Sequence, residues 1–256
     1  MTRFLAAIIA PLALGLLSAA ANAAPGVAAA SDLKFALDEI ARAYTRETGK
    51  AVRIAYGSSG NFRRQIAEGA PFELFLSADE SYVHALAKEG RLEDEGTLYA
   101  IGRLVLFAPQ DSPVDPGMGL SGLANLAREG RVARLAIANP AHAPYGRAAR
   151  QALEHAGAWK DLEGRLVLGE NVSQAAQFAA SGNATAGIFA HSLAFSPAVS
   201  GRGRFALVPD SAHAPLRQRM ALVKGAGAEA RAFHDFLQGA AARAIFSRYG
   251  FSLPGP

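Results

Sequence analysis

The chain contains no cysteine. That excludes disulfides and thiolate metal sites. It also excludes lipid attachment to a cysteine behind an export leader, so a freely diffusing exported protein is expected. Lysine and arginine form no block. Arg42, Arg46, Arg63, Arg64, Arg147, Arg150, Arg202 and Arg204 are scattered without interleaved aromatics, so the formal charge of +4 leaves no nucleic-acid footprint. A mildly positive surface suits the attraction of an anion over distance. The six histidines, His142 and His191 among them, have no carboxylate or histidine at metal-ligand spacing, so no cation site and no cofactor are expected. Gly57-Ser58-Ser59-Gly60 lacks the G-x-S-x-G spacing of a nucleophile elbow, and no histidine is tied by sequence to a serine and an acid. A secreted serine hydrolase therefore stays only as a rival from another class. Beyond the N-terminal segment no apolar run is long enough to span a membrane. No repeat or low-complexity segment occurs there.

The N-terminus itself has a short basic start, Met1-Thr2-Arg3, and an apolar run from Phe4 to Leu17 broken only by Pro11 and Gly15. Small residues at Ala21 and Ala23 complete the pattern of a secretory signal peptide, residues 1–23, cut after Ala23. A membrane anchor would need roughly 20 apolar residues. The remaining chain of roughly 230 residues is one large domain or two small ones.

Strands alternate with helices along that chain. Gly26 to Ala30 reads as a buried strand, and Ser31-Asp32 opens a helix whose Leu33, Leu37, Ile40 and Tyr44 fall at helical spacing before Gly49 ends it. Ala51 to Tyr56 alternates as a strand, Phe62 to Glu68 reads as a helix, and between them stands Gly57-Ser58-Ser59-Gly60-Asn61. Two glycines allow close backbone approach and two serines add hydroxyls, at a helix start whose N–H groups lack partners. Such a turn suits an anion. The simpler reading is that Ser58 or Ser59 only caps the helix. Further strands are expected at 72–77, 98–108, 134–138, 165–169, 186–191, 205–209 and 219–223, with two closing helices carrying Phe233, Phe236, Leu237, Ile245, Phe246 and Tyr249.

This pace implies an α/β fold of two lobes, each a mostly parallel sheet flanked by helices. The expected division is 24–107 for the first lobe, 108–217 for the second, and 218–256 returning to the first. Ligands of open α/β sheets sit beyond the carboxyl ends of the strands. Four such ends carry small polar residues followed by a helix: Ser31, Ser58-Ser59, Pro144-Tyr145-Gly146 and Asn171-Val172-Ser173. Two belong to each lobe. Facing each other across a cleft, they offer N–H groups and hydroxyls to one compact oxyanion without a cationic side chain.

Ala28-Ala29-Ala30-Ser31, Ser58-Ser59-Gly60 with Arg64 to Pro71, and Leu74 to Asp79 resemble segments of one known family. Asn139-Pro140, Pro144-Tyr145-Gly146, Glu170-Asn171-Val172 and Phe246 to Phe251 extend the likeness over essentially the whole exported chain. The family is that of periplasmic molybdate-binding proteins of ABC transporters. The resemblance implies a two-lobed type II periplasmic-binding-protein fold closing on molybdate or tungstate, a soluble periplasmic monomer, no catalysis, and delivery to a membrane permease with its cytoplasmic ATPase. It implies hydroxyl and backbone donors at Ser31 and Ser59, a backbone N–H at Val172, and Tyr145 acting through its backbone N–H or its hydroxyl. Ser58 and Asp32 would be neighbours.

The chain also departs from the family. Asp32 stands where many members have a hydrophobic residue. Ala190 stands where some place a ligand-binding tyrosine, so Tyr145 is expected to supply the phenol. Glu73 replaces a commoner aspartate on a strand. Asp32 either accepts the proton of an anion such as hydrogen phosphate or, the favoured reading, sits in the first helical turn facing solvent. A site for sulfate or phosphate is the nearer alternative function.

Overall fold

The computed structural model describes residues 24–255, so the expected leader and its cleavage site lie outside the described residues. In chain order the first lobe contributes β1 (Gly26–Ala30), α1 (Lys34–Thr48), β2 (Arg53–Gly57), α2 (Ser59–Ala67), β3 (Leu74–Ser77), α3 (Glu80–Lys88) and β4 (Thr97–Gly102). The second contributes β5 (Leu104–Pro109), α4 (Gly119–Arg128), β6 (Leu135–Ala138), α5 (Pro144–His155), α6 (Trp159–Leu162), β7 (Leu166–Gly169), α7 (Val172–Ala180), β8 (Ala186–Ala190), α8 (His191–Ala194) and β9 (Gly203–Leu207). The chain then returns through β10 (Leu216–Leu222) to α9 (Ala228–Gln238) and α10 (Ala240–Arg248).

Two five-stranded sheets result, ordered β2-β1-β3-β10-β4 and β7-β6-β8-β5-β9. In each, four strands run one way and the fourth in order, β10 or β5, runs against them. Those two antiparallel strands are the ones that arrive from the opposite lobe. The two-lobed type II periplasmic-binding architecture is the one expected.

Alternation along the strands sets the layers, because successive side chains point to opposite faces. Leu74 and Leu76 join the core that includes Leu37, Ile40, Phe233 and Phe246. Phe75 between them joins Phe62, Ile66, Val83 and Leu86 of α2 and α3 on the other face. Tyr44, expected on the buried face of α1, packs edge-on against Phe233 and Phe236 with ring centres 5.1 and 5.2 Å apart.

Both lobe boundaries differ from expectation. The single strand over 98–108 is two strands, broken at Arg103, so 104–107 stand in the second sheet and not in the first lobe. Only Gly102-Arg103 interrupts the run, and because both halves are apolar the handover is hidden. The return strand β10 begins at Leu216, ahead of both the expected strand at 219–223 and the expected division at 218.

Candidate functional site

The carboxyl ends of β1, β2 and β3 lie side by side, since Ala30 registers with Gly57 and Ala29 with Leu76. A 3-10 turn, Ser31–Leu33, follows β1, and α2 follows β2. Opposite them stand the starts of α5 and α7, which follow β6 and β7. Ser31, Ser59, Tyr145 and Val172 occupy these four starts, and all four are buried. The first N–H groups of a helix find no acceptor within it, so each start offers donors to whatever lies between the lobes.

The lobes are closed on each other there. Ser31 Oγ accepts from Ser173 N–H at 3.2 Å, and Ser173 Oγ donates to the Ser31 carbonyl at 2.8 Å. Gly60 N–H donates to the His142 carbonyl at 3.0 Å. A Cβ on residue 60 would lie 2.4 Å from that carbonyl oxygen, so the close approach Gly60 permits is to the opposite lobe. Asn61 Nδ2 donates to Glu170 Oε1 at 2.7 Å.

The two adjacent serines divide the expected roles. Ser58 is the cap of α2, its Oγ accepting from Asn61 N–H at 3.4 Å. It also lies 2.9 Å from His142 Nδ1 and 3.1 Å from the His142 carbonyl. Ser59 Oγ instead accepts from Ala78 N–H at 2.9 Å. That bond leaves its own hydrogen to donate.

A serine, a histidine and an acid therefore meet after all, since His142 Nε2 is 3.6 Å from Glu170 Oε1. They do not form an activated nucleophile. Ser58 is buried and its Oγ already serves the helix cap, while the same Glu170 oxygen accepts from Asn61. Among the described residues no group of three or more His, Cys, Asp or Glu side chains is placed to hold a metal ion.

Asp32 is not solvent-facing as expected; it is 1 % exposed. The first-turn preference for acidic residues gives way because Tyr145 of α5, Gln218 of β10 and Ser192 of α8 close around this residue. Asp32 Oδ2 accepts from Gln218 Nε2 at 2.6 Å and from the Tyr145 hydroxyl at 3.0 Å, while Oδ1 has no partner. Ser192 Oγ donates to the Asp32 carbonyl at 2.8 Å. Burial pushes the carboxyl up to about 6, against the bonds from Gln218 and Tyr145. Burial, then the Asp32 carboxylate, hold the Tyr145 phenol well above its ordinary value, so it is a neutral donor. The phenol is thus committed to Asp32 in this structure.

Gln218 was not singled out in the sequence, although its pattern carries a signal. Leu216, Gln218 and Met220 share the buried phase of β10, and a glutamine there needs polar partners. It has three: its Nε2 donates to Asp32 Oδ2 and to the Tyr145 hydroxyl, the latter at 3.0 Å, and the Tyr99 hydroxyl donates to its Oε1 at 2.8 Å. At the mouth of the cleft Arg147 of α5 pairs with Asp79, with its guanidinium 5.1 Å from the Tyr82 ring centre.

A family model described as bacterial extracellular solute-binding protein matches residues 26–252. The chain is 37 % identical over 245 residues to the molybdate-binding protein of Rhodobacter capsulatus, covering 94 % of this chain and 92 % of that one. It is 35 % identical over 257 residues to the molybdate-binding protein of Azotobacter vinelandii, covering 99 % and 100 %. The solved structure of the periplasmic molybdate-binding protein of Azotobacter vinelandii superposes with a TM-score of 0.82 at 31 % identity, covering 90 % of this chain and all of that one. The chain belongs to the bacterial extracellular solute-binding protein family.

Proposed function

We propose that the protein captures molybdate, and tungstate with it, in the periplasm and hands it to an ABC import transporter. The observation that carries this reading is the meeting of four buried helix starts, two from each lobe, with the Ser31 and Ser59 hydroxyls between them. Relatives named as molybdate-binding proteins, alike over almost the full chain, support it. The Ser31 and Ser59 hydroxyls, the Val172 N–H and the Tyr145 N–H are the proposed donors. Neutral donors suit a dianion in a dry site, because N–H and O–H bonds to a charged oxygen are strong while no buried cation has to be desolvated. The proposed setting is a soluble monomer released by leader cleavage, needing no cofactor, performing no catalysis and served by a permease with a cytoplasmic ATPase.

One observation favours a second reading. The buried Asp32 carboxylate beside Ser31 would repel a dianion but could accept the proton of hydrogen phosphate. A melting series separates them. Ligand that binds only the folded state raises the melting temperature by mass action, about 2.7 kcal/mol of stability at a hundredfold excess over Kd. Molybdate and tungstate are expected to raise it, and sulfate and phosphate to leave it near the unliganded value. A shift with phosphate alone rejects the proposal.

A further inference from the structure

The Tyr145 hydroxyl of α5 reaches across to buried polar groups of the first lobe. Its oxygen lies 3.0 Å from Asp32 Oδ2 and 3.0 Å from Gln218 Nε2. Asp32 comes from the turn after β1, Gln218 from β10, and Gly102 from the end of β4. Tyr99 of β4 fixes the far side of the Gln218 amide. Asp32, Tyr99, Tyr145 and Gln218 are all buried.

Gly102 shows that this pocket has a shape as well as a polarity. A Cβ at that position would lie 2.1 Å from the Tyr145 hydroxyl oxygen, 3.0 Å from its ring carbon Cζ and 2.8 Å from Gln218 Nε2. Gly102 is not among the glycines at positive φ, so strand backbone gives no other reason for a glycine there. The residue lacks a side chain where the phenol needs room. Gly102 also registers with Leu216, and Ala100 with Gln218, on the two strands through which the chain passes between lobes. The pocket is therefore built into the crossing itself, where any opening of the lobes must pivot.

We infer that Asp32, Gly102 and Gln218 form a socket on the first lobe that receives the Tyr145 hydroxyl and fixes the closed position of the second lobe. Gly102 and Gln218 are then positioning residues for anion capture, acting through Tyr145 and touching no ligand. Tyr145 serves twice, its backbone N–H at the anion and its hydroxyl in the socket. The phenol has one hydrogen, and Asp32 takes it. When the lobes part, Asp32 and Gln218 lose a partner that only the second lobe supplies. This inference rests on the reading that closure around an oxyanion is the function.

The test pairs an added bulk with a removed one. Molybdate affinity is measured by calorimetry on the exported chain as wild type, Gly102→Ala, Tyr145→Phe and the double variant. Gly102→Ala is expected to weaken binding at least tenfold, because the new methyl occupies the hydroxyl's place. Tyr145→Phe removes the nearest of the three crowded atoms and leaves Gln218 Nε2 and the ring Cζ, so the double variant is expected to recover part of the loss and bind at least threefold more tightly than Gly102→Ala alone. A glycine needed only for β4 would gain nothing from deleting an oxygen on the other lobe. A double variant as weak as Gly102→Ala, or weaker, overturns the inference. Should Gly102→Ala fail to fold, dissociation kinetics of Tyr145→Phe decide: release about fivefold faster with association unchanged supports the socket, and an unchanged release rate overturns it. Wild type that ignores molybdate but binds sulfate or phosphate defeats the proposed ligand instead, and the same four chains are then compared on that anion.

Discussion

A single carboxylate sets the electrostatics of the site. Asp32 is wholly buried, with one oxygen unpartnered and its carboxyl pushed up to about 6. The unfolded chain holds it near 4. Between those values the folded protein binds more protons than the unfolded one, so folding is favoured at low pH and loses this contribution as pH rises through about 6. The whole span is worth on the order of 3 kcal/mol. Asp32→Asn removes the buried charge and keeps the size. Urea unfolding of the unliganded protein from pH 4 to 7 should show the variant gaining on wild type as pH rises, by on the order of 1–3 kcal/mol at neutrality. Parallel stability curves would refute the assignment. The sequence named this residue but misjudged its surroundings. Helix-start statistics describe an isolated helix, whereas the groups around Asp32 come from Tyr145, Ser192 and Gln218, all more than a hundred residues along the chain.

At the scale of elements, most of the fold was legible, and so were the four strand-to-helix turns. Their signals are local: alternation in β1 to β3, capping residues at Ser58, Asp79 and Asn171, and terminating glycines such as Gly49. Helix α4 went unread, because the Pro- and Gly-rich segment before it drew the boundary and its start at Gly119 has no capping side chain. The break at Arg103 was hidden for the opposite reason, since nothing polar but Arg103 marks the passage between sheets. The turn opening α2 divides the two readings of one motif between neighbouring serines. Ser58 caps the helix, and the Ser59 hydroxyl, which accepts from Ala78 N–H, has its own hydrogen left for the proposed ligand. Ser59→Ala should therefore weaken molybdate binding by about tenfold or more, as for a hydrogen bond to a charged group worth roughly 1.5–3 kcal/mol. Ser58→Ala should mainly lower thermal stability, by about 1 kcal/mol for a lost cap. Calorimetric titration and thermal melting of both variants decide it, and wild-type affinity in Ser59→Ala would withdraw that residue from the site.

Across the whole molecule, closure joins the lobes at two depths. Near the crossing strands the contacts are buried and mostly neutral: Tyr145 with Asp32 and Gln218, and Ser192 with the Asp32 carbonyl. At the mouth the contacts are polar and partly wet, with Arg147 reaching Asp79 across the gap and Asn61 reaching Glu170. The two sets should respond differently to salt. Arg147 and Asp79 keep side-chain exposures of 35 % and 28 %, so their attraction is open to screening. An ion pair of that exposure contributes about 0.2–1 kcal/mol. Arg147→Ala leaves Asp79 free to cap α3, its bond to Ser81 N–H being 2.8 Å. The folded lobes should thus be undisturbed, and the unliganded melting temperature should change little. Molybdate should leave the variant faster at low ionic strength, by up to about fivefold, the kinetic form of that energy. At about 1 M salt the Debye length falls to about 3 Å, and the variant and wild type should converge. A rate difference that persists at high salt would place the role of Arg147 in its hydrogen bond to and packing on Tyr82, and no difference at low salt would show that the Arg147–Asp79 pair contributes nothing to holding the anion.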